Sequence, residues 1–411
     1  MKIIVFWEQS EWGGVDSHLE ELLINWPEKK DEIDIIYNSG NEGFSRIKST
    51  LLSKDYIRCH KINSFSYSGI ISHFNKNRCK IFARIILHML KPILFFMSII
   101  QIFFYIKKNF KNTDVLLSDN GGYPASWGCL AAIVASKKIG INKRILLIHH
   151  GAAKYSFFLK PFEKLIDKLV LKSSTNYIFV SNASKNLFIQ NRNKNENNLK
   201  FSVIHNEYVI KKVKNSELIQ EKINNLVNKK EEDLLIGMLG RITQYKGHED
   251  LINALSTLEK KYLDKVKVIF VGDGEKSEIK RLKKILNELN LANKVFFVGY
   301  LEFESRQIVQ SFDILMMLTR DFEGFGLTIL ESIHAKTPFV ATNVGAVKEF
   351  VGDDFGTLIK PQSPEDIKRS IINFIEESNY YVMKSLKAYE LFSNKEIQMH
   401  KKYRDLMINH D

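Results

Sequence analysis

Along the whole chain, short apolar runs alternate with longer amphipathic stretches. In the first half, the runs at Ile3–Phe6, Ile33–Tyr37, Val115–Leu117, Ile145–Ile148, Tyr177–Val180 and Ser202–Ile204 predict strands. The stretches near Val15–Asn25, Ala125–Ile139 and Ala183–Gln190 predict helices. This alternation marks parallel sheets joined by crossover helices. The stretch NRNKNENN (191–198) reads as a polar loop, and a second polar zone, Lys211 to Asp233, is rich in Lys, Asn and Glu. Beyond it the pattern restarts with LLIGMLGR, a helix from Glu249, VKVIFVGDG, a helix from Glu275, KVFFVGY, DILMML, a helix after Gly326, PFVAT and GTLI. The expectation is an α/β chain of two doubly wound domains, residues 1–208 and 234–385. Residues 209–233 form the linker, and a C-terminal helical part, 386–411, packs back toward the first domain. Ligands of such sheets bind beyond the carboxyl ends of the strands, and two such domains facing each other make a cleft.

Composition narrows the class. At 411 residues the chain exceeds one ordinary core, and 45% hydrophobic with 26% charged residues is globular. Cys59, Cys79 and Cys129 are scattered without metal or disulfide spacing, which fits a reducing cytosol. The N-terminal run Ile3–Trp7 is too short for a signal peptide and reads as a first strand.

The formal charge of +13 is unevenly spread. No Asp or Glu occurs from Tyr56 to Phe110, and that zone contains KPILFFMSIIQIFFYIKK. Its uncharged part, Pro92 to Ile106, falls short of the roughly 20 residues a bilayer span needs. Basic flanks on a very apolar helix suit residues 76–111 to an anionic membrane surface; a buried domain helix with basic ends is the other reading. Nucleic acid is not expected as a partner, because the basic residues interleave with aliphatic ones that would then face water.

Three segments carry candidate chemistry. LGRITQYKG (239–247) follows a strand and places Arg241 and Lys246 in the loop beyond it, where two fixed cations suit a nucleotide diphosphate. A solvated basic loop is the plain alternative. In RDFEGFGLTILES (320–332), Gly324 and Gly326 let the backbone approach a ligand. The N–H groups of Phe325, Gly326 and Leu327 would then form an anion-binding helix start, with the helix beginning around Phe325. Glu323 and Glu331, with seven residues between them, suit sugar hydroxyls, since a carboxylate accepts from two at once. An acidic helix start with a surface ion pair would give the same acids without the glycines. In the first half, Gly13 and Gly14 separate the first strand from the first helix, and ILLIHHGA ends a strand with His149, His150 and Gly151. His150 reads equally as a sugar contact or a structural histidine. The GxG of VGDGEKSE (271–278) lacks a third glycine and lies on the second strand of its domain, so it is weak as a dinucleotide fingerprint. No catalytic triad order or metal-ligand spacing is present.

Together these segments resemble the family 4 retaining glycosyltransferases of the GT-B fold, over nearly the whole chain and most strongly from Leu239 to Pro361. That family's EX7E element matches Glu323 and Glu331, and its GR-x4-KG element matches Gly240, Arg241, Lys246 and Gly247. Gly13 and Gly14 match its donor loop, and His150 its cleft histidine. Where many members read PNG, this chain reads IHNEYV, with Glu207 in place of glycine. The resemblance implies two Rossmann-like domains facing across a cleft, and transfer of a hexosyl residue from a nucleotide sugar, UDP-sugar favoured. The acceptor would be a glycan or lipid-linked saccharide of cell-surface polysaccharide or lipopolysaccharide synthesis. By the same resemblance Arg241 and Lys246 hold the diphosphate, Glu331 the ribose, and Glu323, Phe325 and Gly326 the sugar. Tyr300 and Leu301 flank the base, while Gly14 and His150 close from the other domain. No metal or other cofactor is implied, and the enzyme would sit peripherally on the inner face of the cytoplasmic membrane. A GT-B nucleotide-sugar epimerase and a non-catalytic nucleotide-sugar or membrane-binding module are the alternatives.

Overall fold

The computed structural model describes residues 1–74, 86–192, 200–209, 216–352 and 354–409. These form two compact units: Met1–Glu207 with Gln398–Asp411, and Tyr208–Ile397. The first unit holds β1 (Lys2–Trp7), β2 (Glu32–Asn38), β3 (Ile57–Ile62), β4 (Val115–Asn120), β5 (Lys143–Ile148), β6 (Asn176–Phe179) and β7 (Phe201–Val203). They form one sheet in the order β3-β2-β1-β4-β5-β6-β7, every pair parallel. The second unit holds β8 (Leu234–Leu239), β9 (Val266–Val271), β10 (Val295–Gly299), β11 (Ile314–Met317), β12 (Phe339–Thr342) and β13 (Thr357–Ile359). Their order is β10-β9-β8-β11-β12-β13, again all parallel.

Each sheet reverses its winding once, between β1 and β4 in the first unit and between β8 and β11 in the second. A doubly wound sheet opens a crevice beyond the strand ends at that reversal. The central strands are buried because helices cover both faces: β4 and β12 are buried along their whole length, although β4 ends in the polar residues Ser118, Asp119 and Asn120.

Four parts of the sequence expectation differ from the structure. β3, IRCHKI, is an edge strand bonded only to β2, with exposed positions that break the apolar run. The zone expected as a linker contains the helix Ser216–Val227, which buries Ile219, Ile223 and Val227 in the second unit. The C-terminal part divides: Ser378–Ser393 belongs to the second unit and Met399–Ile408 to the first. Of the polar loop read at 191–198, Asn191 and Arg192 end a helix, and Arg192 is buried against Glu163 at 2.8 Å. The remainder lies outside the described residues, as do residues 75–85 of the basic apolar zone.

The first unit carries an additional layer. Helix Trp127–Ile139 is buried from Trp127 to Ser136, because the sheet lies on one side and helix Lys91–Asn109 on the other. Among the described residues, no helix is long and apolar enough to cross a membrane.

Candidate active site

In the second unit, the loops leaving β8, β9, β11 and β12 converge at the reversal point. The β8 loop turns at Gly240 (φ +139°) and is bridged in parallel fashion to the β9 loop through Ile242 and Gly274. It tightens through a short 3-10 turn, Gln244–Lys246, and ends at Gly247 (φ +76°) before helix His248–Ser256. A Cβ on Gly247 would stand 2.1 Å from the Leu318 carbonyl oxygen, so the loop can touch the end of β11 only with glycine there. The GxG of the β9 loop has the same explanation. Gly272 (φ +137°) admits the Gly240 carbonyl, where a Cβ would sit at 2.1 Å, and this is a packing role rather than a dinucleotide site.

That close approach brings together residues far apart in sequence. Lys246 Nζ donates to Glu323 Oε2 at 2.7 Å, and the Thr319 hydroxyl donates to the same oxygen at 2.9 Å. Burial opposes the charge on Lys246, but the Glu323 carboxylate and Tyr245 outweigh it and shift its pKa upward. The ammonium is therefore a fixed cation across the ordinary pH range. Arg241 is exposed beside it, close enough to act against the Lys246 charge. Arg320 is held elsewhere, by Asp250 at 2.7 and 2.8 Å, and buttresses the first turn of helix His248–Ser256.

The segment from Glu323 is shaped by its glycines. The Glu323 carbonyl accepts from Ala346 N–H at 3.0 Å, and Gly345 (φ +57°) leaves the room, since a Cβ there would meet that oxygen at 2.1 Å. Gly326 (φ +96°) caps helix Leu327–Ala335, so the helix starts after Gly326, as the strand and helix alternation reads it, and two residues later than the start around Phe325 read from the glycine turn. Left-handed Gly326 and the stacking of buried Phe325 on Phe350 (4.7 Å) fix that turn. Glu331 lies one turn into the helix, is buried, and accepts from Ser305 Oγ at 2.7 Å. Burial pushes its carboxyl up to about 7, against the Ser305 hydrogen bond and the charge of Arg306. Tyr300, exposed, and Leu301, partly buried, follow β10.

In the first unit, Gly13 is extended (φ −175°), and a Cβ there would meet nothing within 4 Å. Its backbone N–H donates to Asp16 at 2.7 Å, closing the start of helix Gly14–Ile24. Burial pushes Asp16 up to about 7, against that hydrogen bond. At the end of β5 the two histidines separate: His150 is exposed, whereas His149 is buried with Nε2 2.6 Å from Asp119 Oδ1 on β4. His149 meets His18 edge-on at 4.6 Å, and His18 Nε2 lies 3.3 Å from the Tyr403 hydroxyl. Burial holds His18 well below its usual range, and therefore neutral. Among the described residues, no group of three or more His, Cys, Asp or Glu is placed to hold a metal ion.

Within the second unit, Lys246, Glu323 and Gly326 thus occupy adjoining loops, with Arg241 beside Lys246 and Glu331 on the helix that follows. Thr319 and Asp119 escape sequence reasoning, and of the histidine pair only His150 is given a role by it. The only signal for Thr319 and Asp119 is position at the carboxyl end of β11 or β4.

Residues 203–390 match the family model described as Glycosyl transferases group 1. The chain is 30% identical over 254 residues to an uncharacterized glycosyltransferase of Methanocaldococcus jannaschii, covering 58% of this chain and 60% of that one. It is 30% identical over 114 residues to the O-antigen biosynthesis glycosyltransferase WclY of Escherichia coli, covering 28% of this chain and 30% of that one. The chain therefore spans less than two thirds of the length of either relative. Among solved structures, Anabaena HepE in complex with UDP and glucose superposes with a TM-score of 0.74 at 19% identity, covering 98% of both chains. The chain has the GT-B fold of two doubly wound parallel sheets, and over residues 203–390 it is similar to the group 1 glycosyl transferases.

Proposed function

We propose that the protein is a retaining glycosyltransferase that moves a hexosyl residue from a UDP-sugar to a glycan or lipid-linked saccharide acceptor. The observation that carries this reading is the Lys246–Glu323 contact at the sheet reversal, beside a glycine-capped helix that buries Glu331 one turn further on. Arg241 and Lys246 hold the donor diphosphate and take up the charge that grows on it as the bond to the sugar breaks. Glu323 and the backbone at Phe325 and Gly326 position the sugar, and Leu327 contributes to the same helix start. Glu331 accepts from the ribose, and Tyr300 and Leu301 border the base. Gly13, Gly14 and His150 are assigned to the same reaction from the first unit. The acceptor oxygen forms its bond to the anomeric carbon on the face the phosphate leaves, and its proton passes to the departing phosphate. Configuration is retained, and the leaving group is stabilised by fixed cations without a metal. The match to group 1 glycosyl transferases supports transfer as the activity. UDP bound to HepE supports the base, and the O-antigen role of WclY supports a cell-surface glycan. Residues 76–111 are assigned to an anionic membrane surface on the cytoplasmic side, where a lipid-linked acceptor resides.

The test is turnover of a panel of UDP-, GDP- and ADP-sugars with and without acceptor saccharides, by wild type and Arg241→Ala. Acceptor-dependent release of UDP, abolished in the variant with its melting temperature unchanged, is expected. Donor conversion without an acceptor would instead mark an epimerase, and undiminished turnover in Arg241→Ala would sink the diphosphate assignment.

A further inference from the structure

Helix Lys91–Asn109 is apolar on both faces. One side, including Leu94, Phe95, Ile99 and Ile102, is buried over helix Trp127–Ile139. The other presents Ile93, Phe96, Met97, Ile100 and Phe104 to solvent, at the 3–4-residue spacing of a single stripe. A second element adjoins it. Phe162, at the start of helix Lys160–Ser173, stacks on Trp127 at 5.7 Å and lies 6.4 Å from Phe96. Just before that helix, Phe157 and Phe158 are 89% and 87% exposed, the most exposed large apolar side chains among the described residues.

This loop is braced. Ala153 N–H donates to the Tyr123 carbonyl at 2.8 Å, Asn191 reaches the Ala152 carbonyl at 2.7 Å, and the Tyr155 hydroxyl donates to Asp167 at 2.6 Å. The two phenylalanines project from a fixed base. The helix that follows carries Lys160, Lys164, Lys168 and Lys172, four lysines at intervals of four, all exposed. Its two acids, Glu163 and Asp167, are turned inward, where Arg192 takes Glu163 and Tyr123 with Tyr155 takes Asp167. From Ala153 to Lys172 every exposed charged side chain is a lysine, and the other exposed residues are apolar.

A surface whose exposed residues are apolar side chains and lysines fits a second protein poorly, because interface cores are depleted of lysine. It fits an anionic bilayer, where aromatic rings enter the acyl boundary and lysine stems lie along it with their ammonium groups at the headgroups. We infer that Phe157 and Phe158 form a membrane-inserting tip and that the lysine ridge of helix Lys160–Ser173 binds anionic headgroups beside the apolar stripe of helix Lys91–Asn109. The tip lies on the loop that leaves His150, so bilayer contact holds that loop at the lipid surface. This deepens the proposed function by placing its acceptor among lipid-linked saccharides, and it rests on that reading for the acceptor alone.

The experiment is flotation of the full chain with vesicles of phosphatidylethanolamine and phosphatidylglycerol, against phosphatidylcholine alone, at low and high salt. Wild type floats with the anionic vesicles and is released by salt. F157S/F158S lowers partition by about tenfold or more, and K164E/K168E lowers it further, by about fivefold or more for each charge altered. Both variants retain the melting shift with UDP, which reports an intact fold and donor site independently of lipid. Unchanged flotation of F157S/F158S overturns the inference, as does wild type that ignores anionic vesicles. A dimer in sedimentation that F157S/F158S dissolves also overturns it, in favour of a second copy on this face. Loss of the UDP shift in wild type would instead count against the proposed function.

Discussion

The contact between Lys246 and Glu323 makes a separable prediction about the two halves of a nucleotide sugar. At 2.7 Å, Coulomb's law gives about 6 kcal/mol at an effective dielectric of about 20. A quarter of the lysine side chain reaches solvent, and both groups give up hydration, so the net pairing is about 1–3 kcal/mol. A diphosphate must draw the ammonium away from this partner. Lys246→Met should therefore weaken UDP binding by about 10–100-fold, the loss of one charge-assisted contact. Glu323→Gln should leave UDP affinity unchanged or raise it by up to about tenfold, because Lys246 no longer leaves a carboxylate. The same variant should lose the extra affinity that UDP-glucose has over UDP, since Glu323 is assigned to the sugar. Calorimetric titration of UDP and UDP-glucose into wild type, both single variants and the double variant measures these quantities and the coupling between the two residues. If Lys246→Met bound UDP like wild type, or if Glu323→Gln weakened UDP as much as Lys246→Met, the division of labour would be refuted.

Two further outcomes follow from other carboxylates. The Glu331 carboxyl is raised from 4.5 to about 7, so its contribution to stability is fully present below about pH 4.5 and is lost as pH rises through about 7. The difference amounts to about 3 kcal/mol at pH 8. In urea titrations Glu331→Gln should gain on wild type by up to that amount at pH 8 and not at pH 4.5, and a pH-independent difference would contradict the assignment. Glu207 Oε2 accepts the backbone N–H groups of Gln398 and Met399 at 2.7 and 2.8 Å, and so caps helix Met399–Ile408. Glu207→Ala should cost about 1–2 kcal/mol and speed amide exchange in that helix, whereas unaltered exchange there would show that the cap is dispensable.

Much of the fold was legible because a parallel sheet covered on both faces writes its strands as unbroken apolar runs. β3 was not, since an edge strand can place Arg58 and Lys61 at solvent. The loops holding Arg241 and Glu323 could be placed from the strand–glycine–helix order alone. Their meeting could not, because 77 positions separate Lys246 from Glu323 and only the adjacency of β8 and β11 joins them. The histidine pair shows the same limit. Successive residues at a strand end point to opposite sides, and Asp119 on the neighbouring strand decides that His149 is the one drawn inward. Glu207, which stands where the resembled family carries glycine, gains its reason only from a helix 191 positions later. The lysine ridge at 160–172 follows a helical period in plain sight, and only the fold shows that Glu163 and Asp167 face inward and leave the lysines as the exposed charges.

The glycines that let the loops touch also restrict how such a site can diversify. Gly247 accommodates Leu318, Gly272 accommodates Gly240 and Gly345 accommodates Glu323, each through a main-chain oxygen that no side chain at those positions could tolerate. Because main chain rests on main chain, no one of these loops can lengthen or bend without unseating another. A lineage adopting a new ligand has little freedom to remodel the framework. It must work by exchanging the side chains the loops display, one residue at a time, on a scaffold that stays the same.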